Sequence, residues 1–439
     1  MRALPLRRLP PLDAIAHALG PRGRVWLDGE PGHPEGRWTF LASDPVETRV
    51  ARFGDDPWAA FDGLEGEPGP IEGAPLDRGS VPWWIGWIAY DAAWSEAGRL
   101  GVRAPARHPR GALPVVCLGR YESLIAVDRE AGRGWALGPD AEALPDRDER
   151  ASAAPPWRAK AGAASVPPRA DHRRAIERAL AAIAAGEIYQ VNLARRWTAP
   201  YAGSPLALWR AMREASPVPL GMYLERPDHA VLGRTMERFL RWDRAGRSLW
   251  TSPIKGTIAR SGRDDEAEAE TLTRDDKERA EHAMIVDLMR NDLSRVAETG
   301  SVRVQAPLRV EPFRGLSHLV STVACRTRPE IDLRAILEAT FPPGSITGTP
   351  KLRAMELIEA EEPCARGVYT GALGYVDRAG GVSLAVAIRT AVISGDSATY
   401  FAGGGLVSAS DPEREIEETE LKARVFLEAL DHLRRQNRD

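Results

Sequence analysis

Between Ile188 and Trp197 the chain alternates. Tyr189, Val191 and Leu193 fall on one side, Gln190 and Asn192 on the other, a period of two that predicts a half-buried strand. The stretch before it has the helical period instead, with Ile176, Leu180, Ile183 and Ala184 on one face, Asp171 as N-cap and Gly186 as the stop. A second helix is predicted from about Asp275 to Ala297, ended by Gly300. Two more open on the pairs Thr349-Pro350 and Asp411-Pro412, a capping side chain followed by a proline whose missing amide hydrogen costs nothing at the first helical position. Residues 1–137 read differently, as short strands and turns rich in Trp, Gly and Pro, with Trp83, Trp84 and Trp87 as core. Residues 138–170 show no period and read as a linker. Patterned elements fill 171–435. Strands and helices mix without strict βαβ alternation, so the class is α+β.

Composition narrows the function. Lys and Arg number 59 against 62 Asp and Glu, a formal net charge of −3, so there is no global basic field for nucleic acid. No apolar run approaches the roughly 20 residues that a bilayer requires, and the first residues lack the apolar stretch of a signal peptide, so no membrane partner and a cytoplasmic location are expected. The three cysteines, Cys117, Cys325 and Cys364, form no CxxC pair and support neither a disulfide framework nor a thiolate zinc site.

Two acidic helices carry the strongest candidate chemistry. Glu278 and Glu281 are three residues apart and share a helix face. Glu415, Glu418 and Lys422 form a polar stripe on the last helix, separate from Ile416, Ala423, Leu427 and Leu430 at about 100° per residue. Such glutamates suit an octahedral oxygen site for Mg²⁺, and they equally suit two solvated surface faces. In Ser252-Pro-Ile-Lys-Gly-Thr257, Gly256 permits close backbone approach and Lys255 is either a nucleophile or an exposed turn lysine. Glu237 and His318 are lone titratable groups that spacing does not distinguish. Pro343-Gly-Ser-Ile-Thr-Gly-Thr-Pro-Lys351 lacks the Gly-Lys-Ser/Thr of a phosphate loop, and Gly403-Gly-Gly405 lacks the Rossmann fingerprint.

These segments together resemble the chorismate-utilising enzymes: anthranilate synthase component I, aminodeoxychorismate synthase component I, isochorismate synthase and salicylate synthase. The resemblance runs through Glu187-Ile-Tyr-Gln-Val-Asn-Leu-Ala-Arg-Arg196, Ser252 to Thr257, Ala280-Glu-His-Ala-Met-Ile-Val-Asp287, Gly315-Leu-Ser-His-Leu-Val320 and Pro343 to Met355. It continues through Gly367-Val-Tyr-Thr-Gly-Ala-Leu-Gly-Tyr375, Ala387-Ile-Arg-Thr390, Gly403 to Val407 and Asp411 to Lys422, and more weakly at Tyr90-Asp91. It implies two packed antiparallel β-sheets in a sandwich flanked by helices, as in anthranilate synthase component I, with 1–137 as the N-terminal half of the family fold and 171–435 as the chorismate-binding catalytic domain.

Two positions select among the members. Isochorismate synthases carry a lysine base where this chain has Gln190, and anthranilate synthases resemble Pro-Ile-Ala-Gly-Thr where this chain has Lys255. The resemblance thus implies aminodeoxychorismate synthase component I: Mg²⁺-dependent amination of chorismate by ammonia to 4-amino-4-deoxychorismate, for p-aminobenzoate and folate synthesis. In that scheme Lys255 adds to the ring covalently, Glu237 is the general acid and His318 lines the ring pocket. Glu281 and Glu418 hold the metal directly, Glu278 and Glu415 through waters. Tyr369 and Arg389 bind the enolpyruvyl carboxylate, while Ser345, Gly256, Gly403, Gly405 and Lys422 contribute to the remaining substrate contacts. No Gly-x-Cys-x-Gly surrounds any cysteine, so a separate glutamine amidotransferase subunit is expected to supply ammonia. The alternatives are anthranilate synthase component I, which also eliminates pyruvate, and a non-catalytic chorismate- or tryptophan-binding regulatory subunit using Leu41-Ala-Ser-Asp-Pro45.

Overall fold

The computed structural model describes residues 3–66, 71–76, 81–94, 108–111, 113–142, 162–259, 273–274, 276–313 and 316–436. Two sheets organise them, one of 12 strands and one of 10, and every pairing between named strands is antiparallel. Both sheets draw on both halves of the sequence. In the larger, Val25–Asp28 pairs with Leu220–Glu225, Trp26 opposite Tyr223. In the smaller, Pro82–Ile88 pairs with Ala372–Asp377, Trp87 opposite Leu373.

The alternation of side chains along the strands explains the layering. Leu27, Phe40 and Met222 from the larger sheet meet Ile85, Trp87 and Leu373 from the smaller in one buried cluster, the filling of the sandwich. Trp84 points the other way, into a cluster with Ile285, Met289 and Leu293 of the helix Asp276–Ser294. The tryptophans expected as core are core: Trp84 and Trp87 are 2% and 0% exposed. On the outer face of the larger sheet, Tyr400 stacks on Phe426 with centroids 5.1 Å apart, and Tyr400 donates to the carbonyl of Lys422 at 3.1 Å. This pair seats the long C-terminal helix Pro412–Gln436 against the strand Ser397–Leu406.

Several local expectations need correction. The helix Arg169–Ala184 starts after Pro168, with no side-chain cap, so Asp171 lies in its first turn, where its charge suits the helix dipole. Thr349 is not an N-cap: it pairs with Gln190 in a short strand, and the helix Lys351–Glu361 begins after Pro350. Asp411 does cap, accepting from the amide of Arg414 at 3.0 Å. The strand Gln190–Pro200 is buried on both faces rather than half exposed, and Tyr189, just outside it, is 65% exposed. Its polar face, Gln190 and Asn192, is buried because it borders the candidate site. Within the expected linker, Ala164–Val166 is a strand paired to Gln190–Pro200, and residues 143–161 lie outside the described residues.

Candidate active site

One end of the strand pair Gln190–Pro200 and Ser397–Leu406 forms the floor. Asn192 stands opposite Gly405 and Ala194 opposite Gly403. Glycines are required here because four side chains press on the bare backbone. A Cβ on Gly405 would sit 3.3 Å from both Gln190 Nε2 and Lys255 Nζ, one on Gly404 would meet Glu415 Oε2 at 2.8 Å, and one on Gly403 would meet Asn192 Oδ1 at 2.9 Å.

Lys255 reaches this floor from the strand Ile254–Ala259, which pairs with Leu316–Arg326. Its Nζ donates to Glu281 Oε2 at 2.8 Å, bridging from the smaller sheet to the helix Asp276–Ser294. His282, next to Glu281, is buried, with Nε2 2.6 Å from Ser321 Oγ. Burial, aided by the charge of Lys255, drops its pKa to about 4, so it stays neutral. His282 lies inside the matched segment Ala280–Asp287, but no spacing separates it there as a buried polar group.

Glu237 is buried on the same side. Burial pushes its carboxyl up to about 7, against the opposing pull of a hydrogen bond from Ser345, another from the amide of Ile254, and the charges of Lys255 and Lys422. Ser345 belongs to the turn Gly344–Ile346 inside the glycine-rich loop. From the C-terminal helix, Lys422 Nζ donates to the carbonyl of Gly403 at 2.9 Å and to Glu418 Oε1 at 2.6 Å. Burial lowers the pKa of Lys422, although Glu418 opposes it. Burial would raise Glu418, yet Lys422, Lys255 and Arg389 hold it below its ordinary value. Glu415, one turn earlier, is raised by burial while Ser410 donates to its Oε1 at 2.7 Å. Of the polar stripe expected on this helix, Glu415 is buried against the glycine floor and Lys422 reaches the Gly403 carbonyl, while the Glu418 side chain stays 52% exposed.

Tyr369 is buried and stacks on Phe401, centroids 5.1 Å apart and planes 11° apart, and burial raises its hydroxyl well above the ordinary value. Arg389 has a left-handed φ of 51°, a conformation that disfavours side chains, and its charge reaches Tyr369, Glu418 and Lys422. His318 is buried on the strand Leu316–Arg326, in register with Thr257, next to Gly256. Glu278 lies one turn before Glu281, and its side chain is outside the described residues. A groove of about 560 Å³, lined among others by Tyr189, Asp287, Phe341 and Lys351, includes none of these site residues.

Among the described residues no three acidic, histidine or cysteine side chains are gathered into a ready metal centre. Glu281, Glu415 and Glu418 are turned to Lys255, Ser410 and Lys422 respectively. The donor set nevertheless fits a hard divalent cation: it offers only carboxylate oxygens, and the missing Cβ of Gly404 leaves a cradle beside Glu415 Oε2.

A protein called aminodeoxychorismate synthase from Streptomyces griseus is 45% identical over 251 residues, 57% of this chain and 35% of that protein, so the chain spans about a third of that relative's length. Aminodeoxychorismate synthase component 1 from Salmonella typhimurium is 32% identical over 449 residues, covering 96% of each chain. The crystal structure of anthranilate synthase component I from Streptococcus pneumoniae superposes with a TM-score of 0.76 at 27% identity, covering 91% of this chain and 93% of that one. This confirms the two-sheet α+β class. With the family profile matching residues 31–428, the chain belongs to the chorismate binding enzymes.

Proposed function

We propose that this protein is component 1 of an aminodeoxychorismate synthase, adding ammonia to chorismate to form 4-amino-4-deoxychorismate. The observation that carries the reading is the position of Lys255, its amine held between Glu281 Oε2 and the bare backbone of Gly405. A lysine there can add to the substrate ring, which a smaller side chain cannot.

The chain's own residues supply most of the chemistry. Lys255, as the neutral amine, attacks C2 of chorismate. The ring double bonds shift as the C4–oxygen bond breaks, and Glu237, protonated up to about pH 7, gives its proton to the departing hydroxyl, which leaves as water. Ammonia then bonds to C4, the double bonds shift back, and the bond from C2 to Lys255 breaks. Tyr369 and Arg389 orient the enolpyruvyl carboxylate, and Lys422 offers a cation to the remaining anionic group. Mg²⁺ would be held by Glu281 and Glu418, with Glu278 and Glu415 through waters, and when bound it supplies charge neutralisation for the ring carboxylate.

Ammonia comes, in this reading, from a separate glutamine amidotransferase subunit in the cytoplasm, consistent with a relative named component 1. Among the described residues no helix is long and apolar enough to cross a membrane. Mass spectrometry after incubation with chorismate, Mg²⁺ and ammonium tests the activity: the expected product is aminodeoxychorismate. Anthranilate with stoichiometric pyruvate overturns it in favour of the anthranilate synthase reading. The absence of turnover with intact chorismate binding favours the regulatory one.

A further inference from the structure

Arg366 lies outside the chemistry described so far, yet its side chain is bonded at every donor. A guanidinium has five N–H donors in one plane, and here each has an acceptor. Nε donates to Glu362 Oε2 at 3.0 Å, and Nη1 donates to the carbonyl of Ile346 and to Thr370 Oγ1, each at 3.1 Å. Nη2 donates to the carbonyl of Asn192 at 2.7 Å and to Glu362 Oε1 at 2.6 Å. The Arg366 side chain is only 1% exposed, and the rings of Tyr90 and Tyr369 stand 4.9 and 5.6 Å from its central carbon.

Three of the four acceptor residues border a site residue. Ile346 follows Ser345, the donor to Glu237; Asn192 is on the floor strand beside Gly405; Thr370 follows Tyr369. Glu362 extends the reach by accepting from the amide of Ala194 at 2.9 Å. Thr370 is itself strained, a β-branched residue at φ 60°, and its hydroxyl is fixed between Arg366 and the carbonyl of Tyr369, to which it donates at 2.6 Å. The neighbouring Gly367 ties in the amino-terminal strands. Its carbonyl accepts from the amide of Tyr90 at 2.8 Å, and its amide donates to Asp91 Oδ2 at 3.1 Å. A buried ion pair adds little net stability over an apolar pair of the same size, so what five fixed donors provide is geometry.

We propose that Arg366 is the positioning residue of the substrate wall, holding the floor strand, the Ser345 turn and Tyr369 in one register, with Tyr90 as the contact that the amino-terminal half makes with it. This rests on the reading that Tyr369 and Ser345 face chorismate. A lysine, with three donors at one point, cannot replace the planar fork.

The test measures KM and kcat for chorismate with ammonium, and thermal midpoints, for wild type, R366K, R366M, T370V, Y90F and Y90L. Arg366→Lys and Arg366→Met are each expected to lose on the order of a hundredfold in kcat/KM while still folded, a misplacement effect. Thr370→Val, which removes one acceptor and leaves the charge pair, is expected to raise KM about fivefold, the worth of one neutral hydrogen bond. Tyr90→Phe should match wild type and Tyr90→Leu should not. Folded Arg366 variants within twofold of wild type overturn the proposal. Should those variants fail to fold, an unchanged KM in both T370V and Y90L overturns it. A wild type inert toward chorismate removes the substrate reading and this proposal together; an active wild type with unaffected variants removes this proposal alone.

Discussion

Lys255 of the smaller sheet and Glu281 of the helix Asp276–Ser294 meet Nζ to Oε2 at 2.8 Å. If that amine bonds to substrate, its removal must abolish chemistry and spare binding. Lys255→Ala is expected to reduce ammonia-dependent turnover to background, while chorismate still binds with an affinity within a few fold of wild type by calorimetry. Loss of binding in parallel with turnover would assign the lysine to recognition instead.

Glu237 makes a pH prediction. Its folded carboxyl sits at about 7, above the ordinary 4.5, so the stability tied to its proton is complete below about 4.5 and is lost as pH rises through about 7. Glu237→Gln, which cannot ionise, should gain stability relative to wild type by about 2–3 kcal/mol between pH 5 and pH 8.5. Urea denaturation at the two pH values measures that gain. The same variant should lose about 10²- to 10⁴-fold in kcat, the usual range for a general acid. Wild-type kcat should fall as pH rises above about 7.

The glycine floor offers a steric test. Gly404→Ala places a methyl 2.8 Å from Glu415 Oε2, too close to stay, so the carboxylate must move. The fold should tolerate the change, since alanine is no worse than glycine in a strand. Activity should become dependent on much higher Mg²⁺, read from a metal titration of kcat. An unchanged titration would mean that Glu415 takes no part in holding the ion.

Chelation provides the complementary experiment. Treatment with EDTA should abolish turnover without altering the far-ultraviolet circular dichroism, and added Mg²⁺ should restore it. Glu418→Gln should raise the Mg²⁺ needed for half-maximal rate by at least about tenfold, by analogy with the loss on changing a metal's outer partners.

Much of this site was legible in the sequence because its parts sit in local patterns. The i, i+3, i+7 spacing of Glu415, Glu418 and Lys422 became a face turned to the glycine floor, and the short motif around Lys255 placed its amine beside Glu281. Burial was less legible. Alternation marked Gln190 and Asn192 as the polar side of a strand, but only the tertiary arrangement makes that side an enclosed wall. Asp171 and Thr349 do not cap their helices because a proline preceding the helix, or a pairing with a strand far away in sequence, decides the boundary. Arg366 carried no signal at all. Two of its acceptors are local, Glu362 and Thr370, but Ile346 and Asn192 lie 20 and 174 positions away, and that convergence exists only after folding.

The strand pairings of Trp26 with Tyr223 and of Trp87 with Leu373 have a consequence for anyone wishing to divide this polypeptide. A gene interrupted between codons 142 and 162 would yield two pieces, each left with open sheet edges that only the other can cover. Neither piece is then a minimal enzyme. Co-expressed, they should anneal into an active heterodimer, and purified singly they should aggregate.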